Sequence, residues 1–381
     1  MTTITTDPFQ RDVWSVFGVP VDAVTLEAAE AKVRDAVETR QRLSIVTPNL
    51  NWVVRALREP RAMAQIQEAD LSLVDGMPVV WLARQLGAPI PERVAGSDLF
   101  ERLRRKLPGV KPIRVFFFGG RAGAAEAAMA KLNDEDGGLI GCGALNPGYG
   151  DVESMGAPVI LETINRARPD FLVVSLGAAK GQTWISRFQD RIDAPVIAHL
   201  GAVVDFVADT VKRAPPWMGK AGLEWAWRIY ADPALGRRYM ADGFRFLGLI
   251  PNRLWVTQRD FRHLKSHGAL RVDGTRKDGT FCVTLKGDAI ADHLDELRPV
   301  LQRASQGGGS VEIECAQLGD IDSAALGLLA LLTCQVTQSG RTVRVRGLSP
   351  VQHDIFARMG LADPAPTLGH TPAALQLGPA E

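Results

Sequence analysis

Residues 43–100 read LSIVTPNLNWVVRALREPRAMAQIQEADLSLVDGMPVVWLARQLGAPIPERVAGSDLF, and this stretch decides the fold class of the chain. The apolar run 43–46 ends at Thr47-Pro48, because proline cannot donate to a strand ladder and biases the preceding residue away from helix. A helix is predicted over about 50–68 and a second strand over 71–74. Strand, polar turn and helix therefore occur twice, which is typical of a parallel α/β sheet.

Polar side chains follow both predicted strands at the point where each strand ends. Thr47 and Asn49 follow the first strand, and Asp75 follows the second. Ligands of open parallel sheets bind outside the carboxyl ends of the strands, so a hydroxyl, an amide and a carboxylate are expected to meet in one crevice. The alternative is local, since Thr and Asn commonly cap helices and Asp-Gly commonly forms turns. The spacing alone leaves both interpretations open.

The alternation of strands and helices continues to about residue 210. Further strands are predicted at 17–21, 113–118, 139–144, 171–176 and 195–199. Together they predict one Rossmann-like, doubly wound parallel sheet. Gly119 and Gly120 begin the turn GGRAG, and such a turn before a helix can bring backbone N–H groups to a phosphate. The full dinucleotide fingerprint is missing, and a tight strand-to-helix turn explains the glycines equally well.

Composition limits the classes of protein to consider. The chain has 381 residues and a formal net charge of +1, which argues against bulk binding of nucleic acid. Its four cysteines are scattered without a C-x-x-C pair, as expected for reduced thiols in a cytoplasmic protein. The sequence shows neither a signal peptide nor an apolar run of about 18 residues that would span a membrane. We therefore expect a cytoplasmic protein.

Several ordered motifs resemble the WecG/TagA/CpsF glycosyltransferase family. They are TPN at 47–49, ADLSLVDGM at 69–77, ERVAGSDL at 92–99, RAPPW at 213–217, GLEW at 222–225 and RRY at 237–239. The resemblance covers about residues 15–260. It implies an inverting, metal-independent glycosyltransferase that needs no cofactor. This enzyme would move an N-acetylmannosamine-type or related sugar from a UDP-sugar to a polyprenyl-diphosphate-linked acceptor in cell-surface or exopolysaccharide synthesis.

The same resemblance assigns roles to individual residues. Asp75 would be the general base, and Thr47 and Asn49 would hold the sugar or the nucleophile in line. Appendage arginines would stabilise the leaving UDP or the acceptor diphosphate. The substrate-binding candidates are Arg93, Gly96, Asp98, Gly119, Gly120, Lys180, Gln182, Arg213, Arg228 and Arg238. Arg93 and Asp98 would shape the pocket, or Asp98 would only orient Arg93.

One motif departs from the family pattern. The family usually carries LGxPKQExW, whereas residues 176–184 read LGAAKGQTW. Lys180 and Trp184 match, but Ala179, Gly181 and Gln182 replace Pro, Gln and Glu. An amide cannot accept a proton as a carboxylate does, so a base role at Gln182 is weakened and the sugar specificity stays open.

Residues 211–267 form a basic, tryptophan-rich segment after the transferase domain at 1–210. Arginines can pair with a diphosphate, and interleaved aromatic and basic residues suit the surface of an anionic membrane. The alternative is a helical hairpin that packs its tryptophans on the transferase domain. We predict peripheral contact of this appendage with the inner face of the cytoplasmic membrane.

The remaining chain resembles a STAS domain at 280–365, after a linker at 268–279 and before a flexible tail at 366–381. Its strand and helix order matches, and DIDSAALG at 320–327 lies where that family has its D-S-S-G helix start. Ala324 occupies the usual phosphoacceptor position, so phosphorylation there is excluded. Ser323 is predicted to cap the helix. A module that binds a protein partner or oligomerises is expected.

Two other functions fit parts of the sequence. A UDP-sugar-binding regulator that has lost catalysis would explain Gly181 and Gln182, although retained Thr47, Asn49 and Asp75 argue against it. An NAD-linked oxidoreductase would use a similar sheet, but the missing glycine fingerprint disfavours it.

Overall fold

The computed structural model describes residues 7–211, 214–215, 218, 224–231, 234–361 and 376–378. Within this part of the chain, the strands form a two-stranded hairpin, a six-stranded sheet and a five-stranded sheet. The fold class predicted from the sequence, a Rossmann-like sheet with a helical appendage and a small second α/β domain, is confirmed.

An antiparallel hairpin precedes the large sheet. Its strands are β1 (Val13–Val16) and β2 (Val19–Asp22), and both are buried along their whole length. Phe17 and Gly18 have φ of 53° and 90°, the two positive values that a tight two-residue hairpin turn requires. The sequence predicted only one strand here, because VWSVFGVPV is apolar on both faces and shows no alternation.

The six-stranded sheet is parallel throughout and has the order β4-β3-β8-β7-β5-β6. Its strands are β3 (Leu43–Val46), β4 (Leu71–Ser72), β5 (Ile113–Gly119), β6 (Leu139–Leu145), β7 (Phe171–Ser175) and β8 (Val196–His199). The helices are α1 (Leu26–Thr39), α2 (Leu50–Ala56), α3 (Pro60–Gln67), α4 (Met77–Gln85), α5 (Gly96–Leu103), α6 (Ala124–Asp134), α7 (Pro158–Arg166), α8 (Ala178–Phe188) and α9 (Val203–Val207).

The helix predicted over 50–68 is two helices, α2 and α3. Pro60 is the first residue of α3. It cannot donate the backbone hydrogen bond that would continue α2, but it suits the first turn of a new helix.

The appendage is helical. It contains α10 (Glu224–Ala231), α11 (Ala234–Leu249), a π-helical segment (Ile250–Trp255) that begins beside Pro251, and α12 (Val256–Phe261). Helix α11 packs on the first domain, where Asn51 Nδ2 donates to the buried Asp242 carboxylate at 2.8 Å. The Phe246 ring also meets Trp81 edge to face, with centroids 6.0 Å apart. These contacts show that one face of α11 packs on the first domain, but they do not involve the appendage tryptophans that the alternative interpretation invoked, and Trp255 is 61% exposed.

The second sheet has the order β13-β12-β11-β10-β9, with only β9 antiparallel to its neighbour. Its elements are β9 (Arg271–Lys277), β10 (Thr280–Ala289), α13 (Leu297–Gln306), β11 (Val311–Ile321), α14 (Ser323–Gln338), β12 (Val343–Arg346), α15 (Pro350–Arg358) and β13 (Gln376–Leu377). Strand β9 lies inside the predicted linker, and β13 lies inside the predicted flexible tail. Both strands carry few apolar residues, so neither had a strand-like pattern.

Helix α14 joins the two domains. Its residues are buried on nearly every side, and it packs between the second sheet and the β1–β2 hairpin within one continuous hydrophobic core. A Cβ added at Gly327 would lie 3.1 Å from the Val13 carbonyl oxygen, which shows how closely the two backbones approach. Helix α14 is thus covered by the chain's own first domain and is not available to a partner on that side.

The start of α14 differs from the prediction that Ser323 caps it. Asp322 is the N-cap, and its carboxylate accepts from the N–H groups of Ala324 and Ala325 at 2.9 and 3.0 Å. The Ser323 hydroxyl instead donates to the Leu86 carbonyl of the first domain at 2.7 Å. Asp322 is the N-cap because it directly precedes Ser323, the first helical residue. From that position a side-chain oxygen reaches the backbone N–H groups of the first turn, which have no partner within the helix.

A carboxylate fixes the connection between the domains. Asp288 accepts from the backbone N–H groups of His267, Gly268 and Asp320 and from the Ser266 hydroxyl. Burial raises the pKa of Asp288, but these hydrogen bonds outweigh it and lower the pKa to about 2. The connection is therefore tied to both β10 and the end of β11.

No helix in the described part of the chain is long and apolar enough to cross a bilayer.

Candidate active site

The carboxyl ends of all six parallel strands lie on one edge of the large sheet. Thr47 follows β3, Asp75 follows β4 by a short turn, and Gly177 follows β7. In open α/β sheets this edge is where ligands bind. The strand-end residues that the sequence predicted to converge therefore share the ligand-binding edge of the sheet.

Backbone hydrogen bonds bring the Asp75 and Arg93 segments together. The Asp75 N–H donates to the Pro48 carbonyl at 3.1 Å, which extends the pairing of β3 and β4 beyond the strands. The Val94 N–H donates to the Val74 carbonyl at 2.9 Å, so the next loop runs beside the first. Residues 18 positions apart in sequence thus lie within reach of each other.

Arg93 bridges two carboxylates. Its Nη1 donates to Asp75 Oδ1 at 3.3 Å, and its Nη2 donates to Asp98 Oδ2 at 2.7 Å. The three side chains are 17%, 25% and 30% exposed for Arg93, Asp75 and Asp98. They are sheltered but reachable from solvent, as a carboxylate that meets a substrate must be. The resemblance implied that Arg93 and Asp98 shape the pocket or that Asp98 orients Arg93, and in the structure one guanidinium contacts both Asp98 and Asp75.

Gly96 lets helix α5 approach the end of β3. A Cβ at Gly96 would lie 3.2 Å from Thr47 Cγ2 and 2.3 Å from Leu200 Cδ2, so a larger residue would push the loops apart. Asp98 lies in the first turn of α5, a favourable position for a negative charge. Gly96 therefore contributes by close packing beside Thr47.

Asn49 performs the local role that was the alternative interpretation. Its side-chain oxygen caps α2 by accepting from the Trp52 N–H at 3.3 Å. Its Cβ lies 4.0 Å from the position of a Cβ on Gly76, directly after Asp75. Asn49 is therefore a cap that borders the Asp75 turn.

Gly119 and Gly120 have φ of 96° and 95°, which favours glycine at both positions. A Cβ at Gly119 would lie 2.5 Å from the Ser175 carbonyl oxygen. The Gly120 N–H donates to that same oxygen at 2.7 Å. The glycines thus permit close packing of β5 and β7, and the Gly120 N–H is already used within the protein.

Lys180 and Gln182 lie on α8 and make separate contacts. Lys180 Nζ donates to the Gly150 carbonyl at 2.8 Å on the exposed side. Gln182 is only 3% exposed, and its Nε2 donates to the Gln65 carbonyl of α3 at 3.4 Å. The described hydrogen bonds thus link Gln182 to α3 rather than to the Asp75 cluster.

His199, the last residue of β8, was missed by the sequence analysis. A Cβ at Gly181 would lie 2.1 Å from His199 Cδ2, so the imidazole fills the volume in front of that glycine. Burial lowers the pKa of His199 to about 4, which keeps the ring neutral at pH 7. Among the described residues, its buried Nε2 atom has no hydrogen-bond partner. A polar residue at a strand end was the available signal, the same one that identified Thr47.

The appendage residues chosen from sequence fall outside what the structure describes. This applies to Arg213 as a whole and to the side chains of Arg228 and Arg238. The described appendage residues pack α11 against α2 and α4, the helices that follow β3 and β4.

In the described ranges, no group of three or more His, Cys, Asp or Glu residues is arranged to hold a metal ion.

Comparison with known proteins extends these observations. An N-acetylglucosaminyldiphosphoundecaprenol N-acetyl-beta-D-mannosaminyltransferase of Bacillus spizizenii is 30% identical over 197 residues, 52% of this chain and 74% of the relative. Proteins of the same name are 26% identical in Bacillus subtilis, over 52% of this chain and 75% of the relative, and in Staphylococcus aureus, over 57% and 84%.

Two family descriptions match consecutive parts of the chain. Residues 272–369 match the Mlab, STAS domain. Residues 14–260 match the glycosyl transferase WecG/TagA/CpsF family and include the Asp75, Arg93 and Asp98 cluster. The chain therefore belongs to the WecG/TagA/CpsF family of glycosyltransferases and carries a STAS domain after its transferase domain.

Proposed function

We propose that this protein is an inverting, metal-independent transferase that moves an N-acetylmannosamine-type or related sugar from a UDP-sugar to a polyprenyl-diphosphate-linked acceptor. The observation that carries the proposal is the Asp75 carboxylate at the ends of β3 and β4, held by Arg93. The names of the relatives, which specify an N-acetylmannosaminyl group and a diphosphoundecaprenol acceptor, support the substrate classes. The product would enter a cell-surface polymer or exopolysaccharide.

In the proposed reaction, Asp75 accepts the proton of the acceptor hydroxyl while its oxygen attacks the anomeric carbon. The bond from that carbon to the UDP oxygen breaks in the same step, and its electron pair leaves with UDP. One displacement inverts the anomeric centre. Arg93 holds Asp75 in a fixed orientation, and Asp98 fixes Arg93 from its other side. Thr47 and Asn49 would keep donor and acceptor in line.

The appendage would serve the charged and lipid parts of the substrates. Arg213, Arg228 and Arg238 are proposed to stabilise the departing UDP or the acceptor diphosphate through charge-assisted hydrogen bonds. The hydrogen bond between Asn51 and Asp242 supports this role, because it anchors α11 on the helix that begins after Asn49.

An exposed apolar face of the appendage supports contact with a membrane. Met240, Phe244 and Leu247 recur at helical spacing on α11 and are 58%, 67% and 59% exposed. Phe246 instead faces Trp81. Arg237 and Arg245 lie on the same helix and are exposed, as suits an anionic lipid surface. We propose peripheral binding to the inner face of the cytoplasmic membrane, where the lipid-linked acceptor is available.

The test is acceptor-dependent release of UDP from a panel of UDP-sugars, with a short-chain prenyl-diphosphate N-acetylglucosamine as acceptor. Asp75→Asn should lower kcat by about 100-fold or more, because an amide cannot take the proton. Asp136→Asn is the matched control, since Asp136 is 85% exposed and pairs with Lys106. A chelator should leave the rate unchanged, and the product linkage, read by NMR, should be inverted relative to the donor.

Two results would contradict parts of the proposal. Full activity of Asp75→Asn would remove Asp75 from the base role but leave the reaction class intact. Donor binding without turnover by the wild-type protein would contradict the transferase and favour the alternative, a UDP-sugar-binding regulator that acts through the STAS domain.

A further inference from the structure

The pairing of Gly181 with His199 replaces part of the family motif. The motif carries Gln at the position of Gly181, and here no side chain is present. The His199 ring occupies the space instead, with Cδ2 and Nε2 at 2.1 and 2.8 Å from where a Cβ on Gly181 would lie. The imidazole from β8 therefore projects against the same turn of α8 from which the family's amide would extend.

The location of His199 is at the ligand-binding edge of the sheet. Strand β8 lies between β3, which leads to Thr47, and β7, which leads to Gly177. Beyond His199 the chain turns at Gly201, whose carbonyl accepts from the Ser175 hydroxyl at 2.8 Å. The ring thus lies among the ends of three neighbouring strands, β3, β8 and β7, and its Nε2 is a buried polar atom with no partner in the described part of the chain. A buried polar atom without a partner is costly, unless a ligand satisfies it.

The position of β8 in the strand order indicates which of the two substrates His199 would contact. The appendage packs on α2 and α4. These helices follow β3 and β4, the two strands at one end of the strand order. If the appendage receives the lipid-linked acceptor on the side of β3 and β4, the ends of β8 and β7 are left for the donor. The neutral ring suits an uncharged polar group, such as a hydroxyl or an amide of the sugar or nucleoside.

We propose that His199 is a donor-positioning residue, which hydrogen-bonds the UDP-sugar through Nε2 in the place of the glutamine that the family carries at position 181. This inference rests on the proposed transferase function and adds a residue to its donor site. The glycine at position 181 is required for this arrangement, because any side chain there would collide with the His199 ring.

The experiment compares four full-length proteins: wild type, His199→Ala, Gly181→Gln and the double variant Gly181→Gln/His199→Ala. KM for donor and acceptor is measured by acceptor-dependent UDP release, with UDP-N-acetylmannosamine and UDP-N-acetylglucosamine as donors. Donor binding is measured by calorimetry and folding by thermal melting. His199→Ala should raise the donor KM about 10-fold, the value of one good hydrogen bond, and change the acceptor KM less than about twofold.

The double variant separates positioning from space filling. Removing the ring makes room for a glutamine at 181, so the double variant should recover most of the donor affinity that His199→Ala loses. Gly181→Gln alone should melt at a lower temperature, since its Cβ meets the ring. A His199→Ala protein that turns over donor with unchanged KM overturns the proposal, as does a loss of donor affinity that the double variant fails to recover. A wild-type protein that neither binds nor turns over donor contradicts the proposed function itself.

Discussion

At the scale of single residues, the guanidinium of Arg93 carries the most specific geometry in the site. It contacts Asp75 through one nitrogen and Asp98 through another. An ammonium group is a single point charge and cannot span both carboxylates in the same way. Arg93→Lys should therefore lower kcat by about 10- to 100-fold while preserving the fold, because a misoriented base is a poor one.

The matched control for Arg93→Lys is Arg40→Lys. Arg40 also pairs with an aspartate, Asp170, but is 51% exposed and belongs to the opposite end of the sheet strands. Steady-state UDP release and circular dichroism on both variants test the difference. Equal kcat values for the two variants would show that bridging by Arg93 is unnecessary.

His199 gives a prediction for the dependence of stability on pH. Burial lowers its pKa to about 4 from the ordinary value of 6.5. Below pH 6.5 His199 binds a proton in the unfolded chain but stays neutral in the folded chain. The free energy of unfolding therefore falls as the pH drops from 6.5 towards 4. Between pH 7.5 and 5 this residue should cost about 2 kcal/mol of unfolding free energy.

Urea unfolding at the two pH values measures that effect. The glutamine variant His199→Gln has no titrating ring, so its loss of stability on acidification should be smaller than that of the wild type. The same acid sensitivity in both proteins would mean that the ring is protonated in the fold or that other groups dominate.

The sequence identified the residues of the central cluster, but not all of their neighbours. Thr47, Asp75, Arg93 and Asp98 stand in recognisable positions after strands or at a helix start. The contact of Gln182 with Gln65 joins residues 117 positions apart, on two helices whose packing no local pattern specifies. His199 was missed because its ring packs where a side chain at position 181 would lie, and a glycine gives no sign in the sequence of which residue fills that volume.

At the scale of elements, local rules explain both the successes and the errors. The parallel strands of the large sheet were predicted because apolar runs end in turns. Pro60 divided a helix that apolar periodicity alone had joined. The β1–β2 hairpin and the short strands β9 and β13 lacked an alternating pattern, and their partners, not their own sequences, determine them.

Helix α11 provides a prediction about membrane binding. Phe244→Ser and Leu247→Ser each remove exposed apolar surface from the outer face of the appendage. Each should weaken binding to vesicles that contain phosphatidylglycerol by about 10-fold or more, because burying a large apolar side chain contributes about 1.5–3 kcal/mol and about 1.4 kcal/mol is a factor of ten in affinity. Co-sedimentation with vesicles measures the change.

Val159→Ser is the control for these variants. Val159 is 68% exposed on α7, outside the appendage. It should bind vesicles as the wild type does. If Val159→Ser weakens binding as much as the α11 variants, the contact surface is elsewhere or is unspecific.

At the scale of the whole molecule, the two domains share one hydrophobic core through α14. We therefore expect one cooperative unfolding transition in calorimetry rather than two. Gly327→Val should destabilise the protein by about 1–3 kcal/mol, because a Cβ at that position already meets the backbone of Val13 and Trp14. Differential scanning calorimetry of the full-length variant reports both the midpoint and the number of transitions.

Gly308→Ala serves as the control, since a Cβ there would have no atom within 4 Å. It should melt within a degree or two of the wild type. Two separate transitions in the wild-type protein would contradict the shared core directly.

The separation of the domains is where sequence reasoning was least informative. A linker and a second fold were predicted, which suggested an independent module. The sequence of α14, SAALGLLALLTCQVTQ, is apolar around most of its circumference, and such a helix needs cover on every side. The second sheet covers one face, and only the three-dimensional structure identifies the β1–β2 hairpin as the other cover.

The union of the β1–β2 hairpin with α14 has a consequence for biosynthesis. The ribosome makes the hairpin first and the helix roughly 300 residues later, a delay of about 15–60 s at ordinary elongation rates of about 5–20 residues per second. During that interval the side of the hairpin that packs on α14 is exposed, while its contacts with α3 and α4 can already form. The transferase domain can therefore complete its core only after α14 has been made.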